Sequence, residues 1–337
     1  MTKKDLISII VPVHNGQDYL FNCIGSIVSQ ADSSYDMEII IINDGSTDDT
    51  AIICDNLEKK HKAVHVISMD DLGVSCGRNA GLDIAQGDFI TFVDADDRLL
   101  PGTLKHLYEI CNGDDCSFAG IGFMAWSDEN DYAILVMQKG EPSNTAIKSF
   151  TGNEYIDMGI LSGDSRCWGK LYRTSHIKEI RFKEGMTIGE DMLFLLDVTL
   201  IASRIVISDY EGYGYYKNPL GAMLRPFKPE YMDQITCWKL VNEKIKEVRP
   251  DLMYRVTSNI MISIMLTVGK IAVLPKKERK KYRNEIRICR QEMSEAGKEQ
   301  GAFGILSKDY KLKVMLFYII PNLYIKLYHI WKRGGNQ

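Results

Sequence analysis

Asp88-Phe89-Ile90-Thr91-Phe92-Val93-Asp94-Ala95-Asp96-Asp97-Arg98-Leu99-Leu100 is the stretch around which this chain of 337 residues is organised. Phe89 to Val93 is short, apolar and rich in aromatic and β-branched side chains, the pattern of a strand buried in a parallel sheet. It stops abruptly at three carboxylates, Asp94, Asp96 and Asp97. In open α/β sheets ligands bind just beyond the carboxyl ends of the strands, so a site is expected here. In extended chain alternate side chains point the same way, which would turn Asp94 and Asp96 towards one ligand. Paired carboxylates repel unless a cation lies between them, and an all-oxygen donor set suits Mg²⁺ or Mn²⁺. The alternative is an acidic loop capping the helix expected near Pro101. A cap needs one carboxylate, and this loop holds three.

Reading outward, Leu6 to Val13 is a buried-strand pattern followed by His14-Asn15-Gly16 and a helix to about Gln30. Glu38 to Ile42 forms a second strand, closed by Asn43-Asp44-Gly45-Ser46, and a helix follows from Thr47 to about Lys60. Val64 to Ser68 is a third strand, and Gly73 to Ala85 a third helix stopped by Gly87. This βαβαβαβ alternation predicts an α/β fold: a mainly parallel, Rossmann-like sheet with right-handed crossovers and helices on both faces. The first turn, Val13-His14-Asn15-Gly16, lacks the glycine fingerprint of a dinucleotide-binding site. Past Pro101 a helix to about Cys111 and a strand over Ser117 to Phe123 are expected, then an irregular polar stretch over 125–150, a hairpin or an excursion at the rim of the site. Glu190 and Asp191 open an apolar-periodic helix, where the helix dipole favours carboxylates and where capping alone would also account for them. Glu211 to Lys217 reads as a last strand, its tyrosines placed to stack on a ligand or simply to pack.

Apolar content of 45% excludes a disordered chain, and the eight cysteines show no zinc or CxxC spacing. Residues 1–25 lack the basic start and long apolar run of a signal peptide, so a cytoplasmic location is expected. The net charge of −4 divides unevenly: residues 1–220 carry 18 Lys+Arg against 34 Asp+Glu, and residues 221–337 carry 23 against 11. Two domains are expected, a catalytic body over 1–220 and a helical, basic extension over 221–337. Val256 to Leu274 is strongly apolar but interrupted by Ser258, Asn259, Ser263 and Lys270, which reads as a core helix rather than a membrane span.

Six stretches in order, SIIVPVHNGQDYL (8–20), IIINDGSTDDT (40–50), GVSCGRNAGL (73–82), GDFITFVDADDRLLPG (87–102), CWGKLYR (167–173) and GEDMLF (189–194), resemble a family 2 glycosyltransferase of GT-A fold, of the kind that builds bacterial polysaccharides. The resemblance covers residues 6–220 and leaves out the basic tail. It implies that Pro12, Val13, His14 and Asn15 line a nucleotide pocket and that Asp44 accepts from the base, with UDP as carrier. It implies that Arg78 lies over the nucleotide or its diphosphate, that Asp94 holds the ribose, that Lys170 joins the nucleotide-sugar site and that Asp97 supports the loop. Asp96 would bind Mn²⁺ or Mg²⁺, and Asp191 would be the general base. Where the family often has a metal- or diphosphate-binding His, this chain has Asn218, so the third metal ligand stays open.

The implied partners are a nucleotide-sugar donor and a glycan or lipid-linked saccharide acceptor, with no nucleic acid. The implied reaction is a metal-assisted single displacement that inverts the anomeric carbon. Two rivals are a haloacid-dehalogenase-like phosphatase and a non-catalytic nucleotide-binding or scaffold protein. The first would place its Asp-x-Asp near the chain start, and the second would have lost an acidic residue. In the tail, Leu312, Met315, Leu316, Ile319, Leu323, Leu327 and Ile330 recur at helical spacing among aromatics and lysines. This reads either as a helix lying on an anionic leaflet, or as one that folds back on the body or pairs with a second subunit in a homodimer.

Overall fold

The computed structural model describes residues 4–334 except 112, 139–141, 143–144, 220 and 222–224. The chain forms two compact units. One comprises residues 1–160, 164–185 and 190–221, the other 161–163, 186–189 and 222–337.

In the first unit the expected alternation is present: β1 (Asp5–Val13), α1 (Leu20–Val28), β2 (Tyr35–Asp44), α2 (Thr50–Lys60), β3 (Val64–Met69), α3 (Val74–Ile84) and β4 (Phe89–Phe92). There follow β5 (Arg98–Leu99), α4 (Thr103–Ile110), β6 (Cys116–Trp126), α5 (Glu129–Gln138), β7 (Ile147–Phe150), α6 (Gly152–Met158), β8 (Lys170–Arg173), α7 (Thr174–Ile177), α8 (Glu190–Ile201) and β9 (Arg204–Tyr216). Among the described residues one sheet runs β3-β2-β1-β4-β8-β6-β9-β5, with β7 also pairing β9. The β3-β2-β1-β4 half is parallel, while β8 runs antiparallel to both β4 and β6. The buried side chains of β1 and β2, Ile7, Ile9, Val11, Ile39 and Ile41, pack with Leu20, Ile24 and Ile27 of α1 into the main core. Continuous apolar strands of this kind need cover on both faces, which the crossover helices supply.

One expectation changes, and one alternative falls. The excursion over 125–150 holds a helix, α5, and an edge strand, β7, instead of irregular chain. The acidic loop caps nothing: the residue preceding α4 is Gly102, in the left-handed region, with no side-chain cap bond.

The second unit is helical: α9 (Asp233–Val248), α10 (Met253–Val273), α11 (Lys276–Arg279), α12 (Arg283–Ala296), α13 (Lys308–Ile319) and α14 (Pro321–Gly334). Ile260, Ile264, Met265 and Val268 of α10 form its core with Cys289, Met293, Phe317 and Tyr324. By length and composition the segment Pro250–Val273 is apolar enough to cross a membrane, but 72% of its apolar window is buried, as a core helix requires. The tail expected as a single surface helix is two, broken before Pro321, which cannot continue the α13 hydrogen-bond ladder.

Candidate active site

The chain leaves β1 for β2 on one side and returns to β4 on the other, so the connections part between β1 and β4. The carboxyl ends of these two strands therefore border the crevice where open α/β sheets bind ligands. The turn after β1 and the acidic loop after β4 both lie there.

At the β1 end, Pro12 and Val13 are buried while His14 and Asn15 are exposed. Asn15 takes a left-handed φ of 53°, which Asn tolerates better than most residues. Its Oδ1 accepts from Thr47 N at 2.8 Å, and its own N–H donates to Ser46 Oγ at 3.0 Å, so the turns after β1 and β2 are tied together. His14 Nδ1 lies 2.7 Å from the Asp44 carbonyl, which can only accept. That nitrogen therefore carries the proton, and Nε2 is left to accept from Asn15 Nδ2 at 3.1 Å. The Asp44 carboxylate is 3% exposed and accepts from Leu72 N at 2.9 Å and Gly73 N at 2.8 Å. It thus holds the loop that leads into α3, and each oxygen keeps a further lone pair for a ligand donor.

The Asp94–Asp97 segment is not extended. Asp97 N donates to Asp94 O at 2.9 Å, closing a tight turn with Ala95 and Asp96 at its corner. Alternation along a strand therefore does not set the directions of Asp94 and Asp96. Partners far along the chain hold the turn instead. Tyr213 Oη accepts from Asp94 N and donates to Asp97 Oδ2 at 2.8 Å, and Tyr216 N donates to Asp97 Oδ1 at 2.7 Å. Asp97 is fully buried, and burial together with the Asp94 and Asp96 charges pushes its carboxyl well up. It braces the loop, the role expected of it. Asp96 Oδ2 accepts from Asn218 Nδ2 at 2.9 Å, so the residue standing where a metal-binding His was looked for orients Asp96. Burial raises the Asp96 carboxyl, and the Asn218 bond opposes that rise.

Arg78 draws the rest together. A Cβ at Gly81 would lie 2.5 Å from Ile10 Cγ2, so only glycine lets α3 lie this close to β1. Arg78, 3% exposed on the same helix, reaches three carboxylates: Nη2 to Asp94 at 2.9 Å, Nη1 to Asp191 at 2.6 Å and Nη1 to Glu190 at 3.2 Å. The guanidinium expected over a diphosphate is thus committed to the acidic side chains around it. Three carboxylates share one cation, which leaves surplus negative charge. Burial, outweighing the Arg78 attraction, raises the Asp94 carboxyl to about 6 and lifts that of Glu190 further, with Asp191 adding to both rises. The buried Cys167 thiol lies against Asp191.

Lys170 stands apart from this group. Its ammonium, buried on β8, donates to Asp164 at 3.0 Å and to the Arg166 carbonyl at 2.8 Å. Sequence reasoning missed Tyr213 and Asp164, and noted Asn218 only as standing in the place of a His. Tyr213 and Asn218 meet the acidic turn from 119 and 122 residues away, a separation that no local pattern announces.

Among the described residues no group of three or more His, Cys, Asp or Glu is placed to hold a metal ion. Asp94 is occupied by Arg78, which leaves Asp96 as the protein's carboxylate. Mg²⁺ is commonly bound through one or two carboxylates with substrate phosphates and water completing the shell, and the hard oxygen of Asp96 fits that arrangement.

A sheet with a crevice at its switch point and an acidic turn braced inside it has the architecture of an open α/β fold with its candidate site at the strand ends. The model for glycosyl transferase family 2 matches residues 8–181, just over half of the sequence, and the chain belongs to that family. It is 27% identical over 239 residues to the glycosyltransferase GlyA of Streptococcus pneumoniae, covering 69% of this chain and 33% of that one. It is 30% identical over 230 residues to the uncharacterized glycosyltransferase EpsJ of Bacillus subtilis, covering 66% and 64%. The chain thus spans a third of one relative and just under two thirds of the other. Among solved structures, S. aureus TarS 1–349 in complex with UDP-GlcNAc superimposes with a TM-score of 0.69 at 20% identity, over 98% of this chain and 92% of that one. The fold is shared with it.

Proposed function

We propose that the chain is an inverting glycosyltransferase that moves a hexose or N-acetylhexosamine from a UDP-linked donor to a hydroxyl of a glycan or lipid-linked acceptor. The observation that carries this reading is the convergence, at the β1/β4 crevice, of the Asp44 loop, the Asp94–Asp97 turn and the Arg78–Glu190–Asp191 cluster. The UDP-GlcNAc bound by the structural neighbour supports a UDP donor. Pro12, Val13, His14 and Asn15 would border the base, Asp44 would accept its imide N–H, and Asp94 would take the ribose. Lys170, turned towards Asp164, would act on the donor sugar through the segment it holds. A divalent ion, Mn²⁺ or Mg²⁺, held by Asp96 would supply positive charge against the departing diphosphate. Asp191 would take the proton of the acceptor hydroxyl. Attack from the face opposite the leaving group inverts the anomeric centre.

The second unit supports work at the inner surface of a membrane. Leu312, Met315, Ile319, Leu323, Leu327, Ile330 and Trp331 are all exposed on α13 and α14, while Val314, Phe317, Tyr324 and Ile325 fill the core. Lys326 and Lys332 are exposed beside them, and Lys311 and Lys313 are half-buried. Apolar and basic side chains on one short pair of helices fit an anionic leaflet, where a lipid-linked acceptor would be found.

The test is a panel of sugar nucleotides with Mn²⁺, scored for fold stabilisation and nucleotide release. Asp191→Asn is expected to leave donor binding intact and to lower transfer by about 10² or more. Donor affinity falling in step with transfer would remove Asp191 from the role of base.

A further inference from the structure

A second surface borders the acidic turn on its β6 side. Phe123 pairs in register with Tyr213, and Ala125 with Tyr215, so the rings of Phe123, Tyr213 and Tyr215 share one face of the β6–β9 pair. Trp168 stacks on that face, 4.2 Å from Tyr213 at 15° and 5.7 Å from Tyr215 at 13°. Phe123 stands edge-on to Trp168 at 5.5 Å and to Tyr215 at 5.9 Å. Trp168 is buried by these contacts, yet Phe123 remains 37% exposed.

Over this wall lies Arg166, its guanidinium 4.5 Å from the Phe123 ring centre and 5.1 Å from that of Trp168. Asp164 fixes the guanidinium through Nε and Nη2 and also receives Lys170 and the Tyr155 hydroxyl. Its cationic neighbours hold the Asp164 carboxyl at about 2 against the effect of burial, so it stays charged. One anion against two cations leaves a net positive charge, and the more exposed cation is Arg166. Its Nη1 makes no hydrogen bond among the described residues. The wall adjoins the reaction centre at two points: Tyr213 holds Asp94 N, and Cys167, next to Trp168, touches Asp191.

We propose that Phe123 and Tyr215, backed by the buried Trp168 and with Arg166 beside them, form the acceptor subsite and select a pyranose that carries an acidic group. The C–H face of a sugar ring packs against aromatic side chains, which offer rigid contact area at little entropic cost. A planar guanidinium with an open edge pairs with carboxylate or phosphate oxygens. The surplus negative charge around Arg78 repels an anion, so a cation set apart on the wall turns the acidic group away and leaves a ring hydroxyl facing Asp191. This assignment rests on the transfer reaction proposed above.

The test separates the two. Calorimetry with the full chain and saturating UDP measures binding of three soluble ligands: a neutral methyl pyranoside, the corresponding uronate and its 6-phosphate. The expected order places both acidic ligands ahead of the neutral one. Arg166→Gln should weaken the acidic ligands by about ten-fold and leave the neutral one unchanged. Phe123→Ala should weaken all three, with Phe123→Leu as the version that keeps apolar volume if the alanine variant folds poorly. UDP release from the donor without acceptor, measured on the parent, reports the transfer reaction apart from the subsite. Equal loss of neutral and acidic ligands in Arg166→Gln, full binding in the Phe123 variants, or no binding of any pyranoside to the parent overturns the subsite. Failure of the parent to bind or hydrolyse any sugar nucleotide overturns the transfer reaction instead.

Discussion

Replacing Arg78 by Met keeps an unbranched side chain of similar reach and removes the one cation shared by Asp94, Glu190 and Asp191. Arg78 is 3% exposed, so the carboxylates it leaves behind have little water to turn to. Removing one partner of a buried ion pair costs about 3–5 kcal/mol, chiefly through the uncompensated charge that remains. The sign of the pH dependence follows. Burial already lifts the Asp94 and Glu190 carboxyls, and without Arg78 they rise further. The native state then binds protons that the unfolded chain, with ordinary carboxylates near 4, has released. Stability of the variant should therefore recover as pH falls from about 8 to 5, by about 1.4 kcal/mol per pH unit for each carboxylate protonated only in the native state. Urea unfolding of parent and variant at several pH values in this window measures the gap. A gap that stays constant across it would mean that Arg78 acts by packing alone. Arg78→Lys should recover only part of the loss, because a point charge cannot fork to three carboxylates.

Glu190→Gln should flatten stability against pH. The raised native carboxyl gives the parent stability that is full in acid and declines as pH climbs towards the native value, so the variant should melt higher than the parent at pH 9, and identical slopes would count against this. Asp96→Asn should abolish most metal-dependent turnover, since an amide keeps shape without charge, and chelator-resistant activity in the parent would end the metal assignment. Salt-sensitive co-sedimentation with anionic liposomes should be lost in a Leu323→Gln, Leu327→Gln, Trp331→Ser variant. Recovery in the supernatant irrespective of anionic lipid would rule out the leaflet. Truncating the tail is the wrong test, because Phe317 and Tyr324 belong to the core of the second unit.

Short-range pattern determined much of this protein. The strand and helix alternation through Phe92, the opening of α8 at Glu190-Asp191 and the buried character of α10 are legible because apolar periodicity and turn chemistry act over a few residues. The family motifs marked Asp44, Arg78, Asp94, Asp96 and Asp191. Only the tertiary structure decided how these groups meet. Asp94 and Asp96 lie in a turn whose directions come from Tyr213, Tyr216 and Asn218 on and after β9. Arg78 turns to carboxylates 16, 112 and 113 residues away, where the sequence read it against a ligand. Lys170 turns to Asp164, and Arg166 lies across the rings of Phe123 and Trp168. The physical reason is common to the acidic turn, Arg78 and Lys170. A buried charge must find its partner wherever the fold brings one within about 3 Å, and that partner is chosen by how the sheet closes, with no regard to separation along the chain.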